Sequence, residues 1–77
     1  MVDNLEGKIK EILEKVLDMP IDPSTAAQGV TPNWDELRHL EIIMEIEDRL
    51  GVMFNHEESA QLTSFKAILE KLQKELK

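Results

Sequence analysis

Apolar residues Leu5, Ile9, Ile12, Leu13, Val16 and Leu17 recur at helical spacing, with Asp3 placed to cap a first helix. Pro20 follows within three residues of Leu17 and predicts the end of that helix. Residues 18–33 then hold all three prolines and Gly29 without apolar periodicity, which predicts a long loop. Loops of that length in small domains tend to be functional or mobile. Ile21 and Val30 are expected to pin this one to the core. A second helix is predicted from Trp34 or Asp35 to Leu50, with Gly51 as the residue that ends it. Either Asp35, or Thr31 followed by Pro32, is placed to cap it. Asn55-His56-Glu57-Glu58 reads as an N-cap with an acid three residues on, opening a short third helix of about two turns. Thr63 is expected to cap a fourth helix whose stripe is Phe65, Ile68, Leu69, Leu72 and Leu76. No segment sustains period-2 alternation. The pattern predicts an all-α, four-helix bundle with a long first loop and a short third helix, spanning 1–77 as one domain. The expected core is Leu5, Ile9, Ile12, Val16, Ile42, Ile46, Leu50, Phe54, Ile68 and Leu72.

The second helix has more apolar positions than one buried face needs. At about 100° per residue, with Leu37 at zero, Ile42, Ile43, Ile46 and Leu50 fall within about 140–240°. Leu37, Leu40 and Met44 fall within about 300–360°, a separate flank, and Glu41, Glu47 and Asp48 lie beside or among them. A flank that alternates apolar and acidic side chains suits protein docking, because apolar groups supply contact area while carboxylates steer a basic partner. The competing reading is that all seven apolar residues are core.

Composition narrows the function classes. Hydrophobic residues are 42% and charged residues 32% of the 77, a globular rather than disordered balance. With no cysteine, disulfides, thiolate chemistry and Cys-based zinc sites are excluded. The net charge of −7, from 16 acids and 9 bases, argues against nucleic-acid binding. It is also unevenly placed: residues 1–34 carry −3, residues 35–58 carry −6 and residues 59–77 carry +2. No run approaches the ~20 apolar residues of a bilayer-spanning helix. The opening Met1-Val2-Asp3-Asn4 lacks the basic-then-apolar pattern of a secretory signal, so a soluble cytoplasmic protein is expected. A chain this small has little room for a catalytic pocket, which favours binding over catalysis.

The string Trp34-Asp35-Glu36-Leu37-Arg38-His39-Leu40-Glu41-Ile42-Ile43-Met44-Glu45-Ile46-Glu47-Asp48-Arg49-Leu50-Gly51-Val52 resembles the acyl carrier proteins and related phosphopantetheine-binding carrier domains. That family has Asp-Ser-Leu at the start of the second helix, followed by an apolar/acidic helix ending in an acid-rich Phe/Leu-Gly. Discrete carriers with Trp-Asp-Ser-Leu and a histidine two residues on look closest. The resemblance continues through Phe54, the acidic segment Asn55–Gln61 and Leu62-Thr63-Ser64-Phe65. It covers residues 34–72 well, and the first helix and long loop fit in length. It implies the acyl-carrier type of bundle. It also implies docking of Leu37, Leu40, Glu41, Met44, Glu47 and Asp48 to basic surfaces of a carrier transferase, acyltransferase or synthase.

One departure bears on the chemistry. In the family the serine between Asp and Leu is esterified by the phosphopantetheine arm; here Glu36 stands at that position, flanked by Asp35 and Leu37. A carboxylate has no hydroxyl to take up the phosphate. Ser24, Ser59 and Ser64 do not follow an Asp at the start of the second helix, and each is expected to serve a turn, a surface or a cap. As written the chain should carry no cofactor, although phosphopantetheine would be implied if position 36 were serine. Two explanations stand side by side: a native homologue that lost the arm, or an altered chain whose parent is a true carrier. The family's setting would be fatty acid, polyketide or aminoacyl metabolism. The alternative function is an adaptor or structural bundle unrelated to acyl transfer.

Other chemistry is poorly represented. The two histidines, His39 and His56, have neither cysteines nor a second histidine at ligand spacing, so no metal site is expected. His39 reads as a half-buried packing residue beside Ile42 and Ile43. Glu41, Glu45 and Asp48 share a helical edge, but without an EF-hand loop they read as a solvated face. There is no Ser/His/Asp or Cys/His set, so no catalytic residue is assigned and no enzyme is expected. Trp34 is expected to anchor the loop end, with contact to partners as a second role. A monomer is expected, with no nucleic-acid or membrane partner.

Overall fold

The computed structural model describes residues 5–75, so the expectations for Asp3 as a cap and for Leu76 in the last stripe lie outside the described residues. Four helices follow in order: α1 Leu5–Leu17, α2 Glu36–Leu50, α3 His56–Gln61 and α4 Phe65–Glu75. Among the described residues there is no strand, only an isolated antiparallel bridge between Ala27 and Ser64. The fold is all-α.

The apolar periods seen in the sequence are the buried faces. α1 buries Leu5, Ile9, Ile12, Leu13 and Leu17; α2 buries Ile42, Ile43 and Ile46; α4 buries Phe65, Ile68 and Leu72. α1 packs against both α2 and α4, so its stripe is the centre of the core. Val16, Leu50 and Phe54, expected in the core, are only partly buried and pack at its edge. Each sits at or near an element's end, where fewer neighbours close over it. Ala26, Trp34 and Leu62 complete the core from outside the helices.

The helix ends are set by specific partners. Asp35, with extended backbone, accepts the Arg38 backbone N–H on its side chain at 2.8 Å, which makes it the cap of α2 in preference to Thr31. Gly51, at φ +67°, closes the helix by donating its N–H to the Glu47 carbonyl at 3.0 Å. Asn55 and Glu58 form a reciprocal capping box on α3. At α4 the cap is Ser64, not Thr63. Ser64 Oγ accepts the Ala67 N–H, while the Thr63 carbonyl is taken by the Gln28 N–H at 2.8 Å, which holds Thr63 outside the helix.

The long loop is fastened by backbone and side-chain bonds more than by the expected apolar pins. Ile21 packs against the core, but Val30 is 71% exposed and pins nothing. The strip Ala26–Gln28 is bonded to the start of α4, through Phe65 N–H to the Ala26 carbonyl at 3.0 Å as well as Gln28 N–H to Thr63. Thr31 Oγ1 accepts the Ala27 N–H. Asn33, at φ +72°, donates its side-chain amide to the Leu17 carbonyl at 2.9 Å and so ties the end of α1 to the start of α2. No described helix is long and apolar enough to cross a membrane.

Candidate functional site: the exposed flank of α2

The loop-to-helix junction delivers residues 34–37 in a fixed order. Trp34 is buried, as its expected anchoring role requires, and Asp35 caps the helix. Glu36 is then the first helical residue, and both it and Leu37 are exposed. A carboxylate in the first turn interacts favourably with the helix dipole, by roughly 0.3–1 kcal/mol. Glu36 therefore suits the local fold. An open cleft of about 660 Å³ adjoins it, lined by Glu36, His39, Leu40, His56, Ser59 and Ala60 among others.

The two faces of α2 are resolved by burial. Ile42 and Ile46 are inaccessible, whereas Leu37, Leu40 and Met44 are 67%, 57% and 66% exposed. The reading that all seven apolar positions of the helix are core is therefore overturned. Met53, in the connection to α3, is also highly exposed and extends the apolar surface beyond the helix. Its role escaped sequence reasoning because it lies outside any periodic segment. An open groove of about 810 Å³ runs along this side, lined by Met44, Val52 and Met53 with Glu41, Glu45, Glu47 and Asp48, and with Lys15 and Arg38 at its edge.

The acids of the flank differ in what holds them. Glu41 pairs with Arg38 at 3.5 Å, both half exposed. Glu47 is half-buried and accepts the Phe54 N–H at 2.8 Å, so it also fixes the turn leaving α2. Asp48 is exposed, and among the described residues neither it nor Glu36 forms an ion pair. Glu45 also lines the groove and pairs there with Lys15 at 3.2 Å and with Arg49 at 3.0 Å. The Lys15 hydrogen bond holds its carboxyl below the ordinary value of 4.5, with Arg49 adding to the effect. Glu45 thus shares the groove edge with Glu41 and Asp48, but its charge is also engaged by α1 through Lys15. Among the described residues no three His, Asp or Glu side chains gather in metal-binding geometry.

His39 is more than a half-buried packing residue. It is 7% exposed, its Nδ1 accepts the Trp34 indole N–H at 3.1 Å, and its Nε2 lies 2.8 Å from the Ser59 carbonyl. The Trp34 and His39 rings stack with centroids 6.1 Å apart. A buried histidine with both nitrogens engaged is a structural link between α2, the loop and α3. The sequence showed only Trp34 and His39 five residues apart. The three serines are placed as turn, surface and cap: Ser24 bonds Asp22, Ser59 Oγ bonds the His56 carbonyl, and Ser64 caps α4.

No family model, no curated protein and no solved structure matches the chain.

Proposed function

We propose that this chain is a carrier-like docking domain of the acyl-carrier type. It presents the α2 flank to basic surfaces of acyl- or aminoacyl-processing enzymes and does not itself carry an acyl group or act as an enzyme. The observation that carries this reading is the exposed line Leu37, Leu40 and Met44, interleaved with Glu41 and Asp48, beginning at a solvent-facing helix start. Large apolar side chains left in water on one flank are the feature that a pure structural bundle has least reason to keep. The carboxylates beside them supply orientation and a faster encounter with a cationic surface. The resemblance of residues 34–72 to the carrier family points to the same flank.

The phosphopantetheine group implied by that resemblance does not fit the residues present. Position 36 has the exposure an attachment site needs, but its carboxylate offers no hydroxyl nucleophile.

Binding to a carrier transferase or acyltransferase tests the docking reading. Affinity should fall as salt rises, and Asp48→Lys should weaken it several-fold at low salt, because Asp48 is exposed without an ion-pair partner among the described residues. Glu41→Lys should act in the same direction. Binding that ignores both reversals would favour the adaptor bundle.

A further inference from the structure

The chain has no cysteine, so its sulfur atoms are all thioethers, those of four methionines. Met1 lies outside the described residues. Met19 is partly buried and packs against the core. Met44 and Met53 are 66% and 85% exposed, and both line the groove beside the second half of α2. The other apolar lining residues, Val16 and Val52, are half-buried and pack against the core. The apolar surface that this groove offers a partner is therefore mostly methionine.

Leu37 and Leu40, the other exposed apolar residues of α2, do not line the groove. The docking flank thus has a leucine part near the start of the helix and a methionine part further along it. The two parts differ chemically. Peroxide leaves an aliphatic side chain alone but turns a thioether into a polar sulfoxide. A lone pair on sulfur attacks one peroxide oxygen; the S–O bond forms as the O–O bond breaks, and the departing hydroxide leaves as water once protonated. Sulfur gives up two electrons and the peroxide is reduced. The sulfoxide is a hydrogen-bond acceptor, so covering it with apolar partner surface costs free energy that covering a thioether does not. Neither Met44 nor Met53 is part of the core, so the fold loses little.

We propose that Met44 and Met53 form a reversible oxidation site through which hydrogen peroxide weakens docking at the groove without unfolding the domain. The consequence for binding rests on the docking reading; the selectivity for these two sulfurs rests on exposure alone. Leu37 and Leu40 keep part of the contact, so oxidation lowers affinity instead of abolishing it. Methionine sulfoxide reductases, one for each sulfoxide epimer, return both side chains to thioethers.

Peptide mapping, melting and binding on the full chain test it. After limiting hydrogen peroxide, removed with catalase, Met44 and Met53 should carry oxygen before Met19 does. The melting temperature should move by less than about 4 °C, as for other surface changes in a domain of this size. Affinity of the oxidised chain for a broad-specificity carrier transferase should fall several-fold, and treatment with both reductases should restore it. Leucine is close to methionine in volume, so a chain with Met44→Leu and Met53→Leu should still bind and should lose nothing to peroxide. Oxidation that reaches Met19 first, a fall in affinity matched by unfolding, or a leucine double variant that peroxide still weakens would each overturn the proposal. Binding that answers to Asp48→Lys but not to peroxide refutes this proposal alone, whereas no binding by the untreated chain refutes the docking reading with it.

Discussion

Truncating Ile46 to Ala and, separately, Leu40 to Ala asks whether α2 has one buried and one free apolar face. Ile46 is fully inaccessible within the core cluster, while Leu40, on the same helix, is 57% exposed. At about 0.8 kcal/mol per buried carbon, losing the three outer carbons of Ile46 costs about 2.4 kcal/mol in transfer alone. The cavity left behind brings the total to about 2–5 kcal/mol. A chain of 77 residues has roughly 4–12 kcal/mol to lose, so the variant gives up much of its stability. Leu40→Ala should change stability by less than about 0.5 kcal/mol, because it removes little buried area and alanine is a good helix former. Urea denaturation followed by circular dichroism reads both. With a slope near 1 kcal/mol/M, the Ile46→Ala midpoint should fall by about 2 M or more, and the Leu40→Ala midpoint by less than about 0.5 M. Equal shifts would refute the division of the helix into a core face and a free flank. So would an Ile46→Ala midpoint within error of the parent.

Two further outcomes follow from the charges. Hydrogen bonds hold three carboxyls below their ordinary values: Lys71 and then the Asn55 N–H at Glu58, Lys15 at Glu45, and Ser24 at Asp22. The unfolded chain therefore binds more protons in acid than the folded one, so this contribution is complete above about pH 5 and is lost as pH falls through the depressed folded values. Thermal melts at stepped pH should show it, and a melting temperature flat from pH 5 to pH 3 would contradict it. Added NaCl or millimolar Mg²⁺ should raise the melting temperature near neutral pH, because residues 35–58 carry −6 and screening relieves their repulsion. A steady fall with salt would mean that pairs such as Lys15–Glu45 and Arg49–Glu11 outweigh it.

Local signals in the sequence were read correctly where the structure obeys local rules. The heptad-like apolar spacing of α1 and α4, Gly51 at the end of α2, and the Asn55–Glu58 capping box are interactions within a few residues, and each is where the pattern places it. Ambiguity arose where distant segments decide. Ser64 displaces Thr63 as a cap where the loop segment 26–28 takes up the Thr63 carbonyl through the Gln28 N–H. Ala26 and Trp34 are the loop's buried residues while Val30 stays exposed, and Asn33 fixes the loop's exit by reaching back to Leu17. Helical angles alone separated the two apolar faces of α2 but not their environments; α1 covers one and leaves the other open. The Trp34–His39–Ser59 link depends on α3 folding back onto α2, twenty residues after His39. No local pattern encodes that.

The proposed carrier-type docking surface on α2 would lack only the nucleophile at the first helical position. Mass spectrometry after incubation with coenzyme A and a broad-specificity carrier transferase decides the proposal. The chain with Glu36 should gain no phosphopantetheine mass, and Glu36→Ser should gain one, because Asp35, Leu37 and the acidic flank already surround an exposed helix start. Modification of the chain with Glu36 intact would contradict the account. So would a folded Glu36→Ser variant, verified by circular dichroism, that the transferase leaves unmodified.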